Sequence, residues 1–112
     1  MSTISTISTH VLDTSLGKPA AGIRVTLLRD ATAIGEGVTD ADGRVRNLVA
    51  AGKLISTGEY HLIFAVGDYF SATARDAFYS EVVVNFRVGP GGGHYHVPLL
   101  LSPFGYSTYR GS

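Results

Sequence analysis

No cysteine occurs among the 112 residues, so neither a disulfide nor a thiolate zinc site holds this chain together, and a reducing compartment suits it. Excess charge is missing as well. Nine basic and nine acidic side chains give a formal net charge of +0, and charged residues make up only 16%. With no net field, the chain has nothing to gather nucleic-acid phosphates or an anionic membrane surface. No run approaches the roughly 20 apolar residues that a membrane helix requires. Residues 1–9, Met-Ser-Thr-Ile-Ser-Thr-Ile-Ser-Thr, carry neither the basic start nor the apolar stretch of a secretory signal. A cytoplasmic location is therefore expected.

Apolar residues, in contrast, make up 45% of the chain, enough to fold rather than stay disordered. The length allows one core but not two, so a single domain over residues 1–112 is expected. A small domain this poor in charge also suggests association with copies of itself.

The dominant pattern is period-two alternation. Ile23, Val25 and Leu27 alternate with Arg24, Thr26 and Leu28. Tyr60, Leu62, Phe64 and Val66 alternate with Glu59, His61, Ile63 and Ala65, and Val82, Val84, Phe86 and Val88 with Glu81, Val83, Asn85 and Arg87. Shorter extended pieces fit residues 8–13, 34–38, 44–49, 94–101 and 106–110. Some eight closely spaced strands make a sandwich or barrel. Turns are marked by Ser15-Leu16-Gly17-Lys18-Pro19, by Asp40-Ala41-Asp42-Gly43 and by the flexible Gly89-Pro90-Gly91-Gly92-Gly93. Only residues 71–77 have helix-compatible composition, for two turns at most. Pro98 cannot donate to a ladder, which predicts an edge strand or a bulge there.

Of the four histidines, His94 and His96 project to one face of their strand and Tyr95 to the other. Imidazole accepts and returns protons near neutrality, which suits general acid–base chemistry. An exposed or hydrogen-bonded pair is the plain alternative, and a zinc site from His10, His94 and His96 ranks behind both. His61 sits in ordinary strand alternation and carries no assigned role. Asp42-Gly43-Arg44 and the final Tyr109-Arg110-Gly111-Ser112 are uninformative alone, although Phe104, Tyr106 and Tyr109 argue that the tail is pinned rather than frayed.

Taken together, Ser8-Thr9-His10-Val11-Leu12-Asp13-Thr14, Gly17-Lys18-Pro19-Ala20, Thr39-Asp40-Ala41-Asp42-Gly43-Arg44 and the ending from His94-Tyr95-His96-Val97-Pro98-Leu99-Leu100-Leu101-Ser102-Pro103 through Ser112 resemble the transthyretin-related 5-hydroxyisourate hydrolases. Phe104 stands where that family often has tyrosine. Transthyretin, the hormone-carrying relative, shares the Leu-Ser-Pro stretch but lacks the Tyr-Arg-Gly-Ser ending and the histidine and arginine set. The resemblance implies an all-β, transthyretin-like two-sheet sandwich of about eight strands with one short helix. It implies a homotetramer with its site in a channel between subunits, and neither cofactor nor metal. The residues it implies as catalytic are His10, Arg44, His96 and Ser112, and those touching substrate are His10, Arg44, Tyr109 and Ser112. The implied reaction adds water at C6 of 5-hydroxyisourate and opens the N1–C6 bond, giving 2-oxo-4-hydroxy-4-carboxy-5-ureidoimidazoline. In that reading His10 or His96 is the general base and Arg44 supports the oxyanion, while His94, which no family role matches, is supporting or structural. A transthyretin-like carrier of a small aromatic ligand is the alternative function, and a structural sandwich the third.

Overall fold

The computed structural model describes residues 2–50 and 53–112, with side chains from residue 5 onward. In chain order the strands are β1 (Ser2–Asp13), β2 (Lys18–Pro19), β3 (Arg24–Arg29), β4 (Thr32–Val38), β5 (Arg44–Val45), β6 (Leu54–Ser56), β7 (Gly58–Phe64), β8 (Val82–Val88), β9 (Gly93–Ser102) and β10 (Gly105–Thr108). Among the described residues one helix, α1 (Val66–Ala72), lies between β7 and β8. One sheet runs β10-β9-β1-β2, with β5 and β6 also pairing to β1, and the other runs β4-β3-β7-β8. The two extra strands beyond the expected eight are short, the two-residue β2 and the three-residue β6.

Alternation builds the core. Odd-numbered Ile7, Val11, Leu99 and Leu101 face inward from the first sheet and meet Val25, Leu27, Leu62 and Phe64 from the second, all at most 1% exposed. Even-numbered positions of β1 and β9 therefore lie on the outer face of the first sheet. The two strands run parallel, paired from Ser5↔Gly93 to Asp13↔Leu101. Pairing of this kind needs a long crossover, and here nearly the whole sandwich lies between the partners.

Two expectations are corrected. The helix occupies Val66–Ala72 and not 71–77, because Val66, Tyr69 and Phe70 sit three and four residues apart and bury one face. Val66 thus belongs to the helix, and β7 ends at Phe64. Pro98 lies in neither an edge strand nor a bulge, since β9 is flanked by β1 and β10. Its missing donor falls in a gap instead. The β10 ladder stops at Thr108↔Leu99, the next bridge is His96↔Gly111, and the Pro98 carbonyl accepts the Thr108 hydroxyl at 2.6 Å. Among the described residues no helix is long and apolar enough to cross a membrane.

Candidate active site

The outer face of the first sheet gathers the polar residues. The register sets His10 beside Arg44 across β1 and β5, and Ser8 beside His96 across β1 and β9. Arg44 is delivered by the Asp40–Gly43 turn. The Asp40 carboxylate accepts the Asp42 N–H at 2.9 Å and the Arg44 N–H at 3.0 Å. The Arg44 N–H, with the nearby Arg46 and Arg44 charges, holds that carboxyl below its ordinary range against the opposing effect of burial. Gly43 completes the turn at φ +77°, and a side chain there would strike the Val11 carbonyl.

His96 is half-buried. Burial, and then the positive fields of His94, Arg44 and His10, push its imidazole below the usual histidine range. Its Nδ1 lies 2.7 Å from the Ser8 hydroxyl. The same hydroxyl, 6% exposed, lies 3.2 Å from Nε2 of the exposed His94. His94 is held from its other side by the Thr6 hydroxyl, 2.5 Å from Nδ1. The two imidazoles stack with centroids 6.3 Å apart and planes at 12°.

The tail is pinned on the same strand. The Gly111 N–H donates to the His96 carbonyl at 2.8 Å. A Cβ on Gly111 would sit 2.5 Å from His96 Cδ2 and 3.2 Å from Pro98 Cγ, so only glycine lets the tail lie this close to the ring. Ser112 follows into a recess of about 270 Å³ lined by Ser8, Thr9, Arg44, Val45, Arg46, His94, His96 and Ser112.

Of the residues expected in the site, Arg44, His96 and Ser112 share this recess, and His10 stands beside Arg44. Tyr109, 57% exposed, does not line that recess but shares a neighbouring depression with Phe86, Tyr95 and His96, so His96 borders both. His10, His94 and His96 do not assemble as metal ligands: among the described residues no group of three His, Asp or Glu side chains is placed to hold an ion. The reading of the sequence missed Ser8 and Arg46. Ser8 was within reach, because it stands two residues before His10 on a strand and so shares its face.

The recess presents what hydrolysis of a flat, amide-rich ring needs: an imidazole, a planar fork of donors and hydroxyls. A sandwich of this class, with an imidazole and guanidinium face in place of an apolar one, is a transthyretin-like fold equipped for acid–base chemistry. The chain belongs to the HIUase/Transthyretin family, whose model matches residues 7–111. It is 49% identical over 114 residues to the 5-hydroxyisourate hydrolase of Deinococcus radiodurans, spanning 95% of each. The structure of Klebsiella pneumoniae 5-hydroxyisourate hydrolase is similar at a TM-score of 0.89 and 38% identity, covering 97% of this chain and 100% of that one. Sea bream transthyretin, solved in complex with thyroxine, is similar at a TM-score of 0.85 and 31% identity, covering 95% and 94%.

Proposed function

We propose that this chain is a hydrolase that opens the N1–C6 bond of 5-hydroxyisourate. The observation that carries the reading is that His96 and Arg44 line one recess, in a chain of this family. Nε2 of His96, which has no protein partner among the described residues, takes a proton from water as hydroxide adds to C6. Arg44 donates to the oxyanion that forms, where preorganised charge acts most strongly. His10, next to Arg44, hands a proton to N1 as the bond breaks, and Ser112 orients water or substrate. Tyr109, which shares the neighbouring depression with His96, holds the substrate ring from that side. The proposal includes a homotetramer acting in the cytoplasm, each copy one domain over residues 1–112. A recess open on the outer face of a sheet gains its walls when a second copy covers it. A transthyretin-like carrier would favour an apolar channel over this polar recess.

Ultraviolet decay of freshly generated 5-hydroxyisourate tests the reading. The protein should accelerate decay, and His96→Ala should return it to the spontaneous rate with an unchanged circular dichroism spectrum. An inactive wild-type protein overturns the function, and full activity in the variant removes His96 from it.

A further inference from the structure

The Ser8 hydroxyl is more than packing. It is nearly buried, and among the described residues it is the group that hydrogen-bonds to both imidazoles, at 2.7 Å from His96 Nδ1 and 3.2 Å from His94 Nε2. With Thr6 on His94 Nδ1, the contacts form an unbroken line: Thr6, His94, Ser8, His96, recess. A hydroxyl donates once and accepts elsewhere, so the line satisfies every member in two polarities. In the first, His96 Nδ1–H donates to Ser8 Oγ, Ser8 O–H donates to His94 Nε2, and His94 Nδ1–H donates to Thr6. His96 Nε2 then carries a lone pair. In the second, every donor is reversed and Nε2 carries a proton.

We propose that Ser8 is a positioning residue that relays protons between His96 and His94, so that His94 serves as the solvent-side terminus of the site. This rests on the hydrolase reading given above. In the first polarity His96 Nε2 takes a proton from water. The Nδ1 proton then moves to Ser8 Oγ while the Ser8 proton moves to His94 Nε2. His96 is left neutral with its proton on Nε2, ready to donate, and His94 becomes the imidazolium. His94 is exposed and loses its extra proton to solvent. No charge is created or lost in the transfer. Holding the cation on exposed His94 avoids keeping it on His96, which faces Arg44 from β5, Arg46 just beyond it, His10 from β1 and His94 from its own strand.

The test uses the full chain with Ser8→Ala, Ser8→Thr and His94→Gln. Loss of a positioned proton path should lower kcat of Ser8→Ala by about 10- to 100-fold, at or below the lower end of the 10²–10⁴-fold range of general acid–base effects because the base itself remains, with KM nearly unchanged. Its pH profile should shift, because the His96 ring has lost its Nδ1 partner. Ser8→Thr keeps the hydroxyl and should recover most of kcat, and His94→Gln should fall as Ser8→Ala does. Histidine ¹⁵N NMR gives a readout independent of turnover: in wild type His96 and His94 should titrate as a coupled pair, and in Ser8→Ala independently. Unchanged ¹⁵N shifts and titrations in Ser8→Ala, or kcat within twofold of wild type at an unaltered pH profile, overturn the relay. Coupled titration in a wild-type protein that does not accelerate 5-hydroxyisourate decay would instead sink the hydrolase reading, and with it the catalytic use of the relay, while leaving the hydrogen-bonded line in place.

Discussion

Replacing Arg75 by glutamine isolates a charge pair whose carboxylate is fully buried. Asp13 ends β1 with its side chain fully buried. One carboxylate oxygen accepts the Ser15 hydroxyl at 2.6 Å and the Ser15 and Leu16 N–H groups at 3.1 and 3.2 Å. The other accepts the Tyr69 hydroxyl at 2.8 Å and Arg75 Nη2 at 2.7 Å. Burial drives this carboxyl up, but hydrogen bonds from Arg75, Ser15 and Tyr69 and the Arg75 charge outweigh it and hold it at about 2. Relative to an ordinary 3.8, that corresponds to about 2.5 kcal/mol of stability. Because the folded value is depressed, this contribution is complete above the unfolded carboxyl's range and is lost as pH falls from about 4 through about 2. In Arg75→Gln the desolvated charge loses its cation. Breaking a fully buried pair costs about 3–5 kcal/mol, and Arg75, 23% exposed, allows water to recover part of that. A loss of about 2–3 kcal/mol is the consequence, a large share of the 5–15 kcal/mol typical of a domain. Urea unfolding at fixed protein concentration, at pH 7 and in steps down to pH 3, reads it. The midpoint should drop at pH 7 with an unchanged slope. The gap between wild type and variant should narrow toward pH 3, because wild type loses its Asp13 contribution on acidification while the variant, whose Asp13 titrates higher, has less of it to lose. A change under 0.5 kcal/mol at pH 7 refutes the assignment of Asp13 as the anchor between β1 and α1.

The remaining expectations concern the site. With His96 held below the ordinary histidine value of 6.5, the base is neutral over a wider range, so kcat/KM should lose activity on acidification only below pH 6.5; an acid limb above that value contradicts His96 as the base. Gly111→Ala should cut kcat at least tenfold without unfolding the sandwich, because the new Cβ displaces either the tail or the His96 ring; wild-type turnover in that variant would show that the tail's close approach is dispensable. Exhaustive treatment with a chelator should leave turnover unchanged, and loss followed by recovery on adding zinc would revive the three-histidine metal site.

Much of this fold is legible from alternation alone. The β3 and β7 strands declare themselves through Val25, Leu27, Leu62 and Phe64, and the Asp40–Gly43 turn through side-chain chemistry that needs no tertiary context. The helix was misplaced because Val66 satisfies two periods at once. It extends the alternation of β7 and also opens the Val66, Tyr69, Phe70 face, and only packing decides between them. Pro98 misled for a related reason. A missing donor forbids a ladder bond on one side, and the chain meets that by opening a gap in pairing with β10, a tertiary arrangement with no local mark. Tyr109 and Ser112 share the tail but flank His96 from two depressions, an arrangement that spacing along the chain does not reveal.

The catalytic face is harder to read, and the reason is the parallel pair of β1 and β9. Spacing along the chain says nothing about Ser8 and His96, which lie 88 residues apart and stand as direct register partners. The core fixes that register. Ile7 and Val11 on β1 and Leu99 and Leu101 on β9 must all point inward, and a slip of one residue on either strand would turn its whole apolar set to solvent. The same slip would drive His96 or His10 into the interior. Outward chemistry is thus set by inward packing, and within the His10–Asp13 motif the division is explicit: His10 faces out toward Arg44, while Asp13, of opposite parity, faces in and anchors α1. Substitutions at Asp13 should therefore move stability first, and substitutions at Ser8, His10 or His96 should move turnover first, although all four residues stand on two adjacent strands.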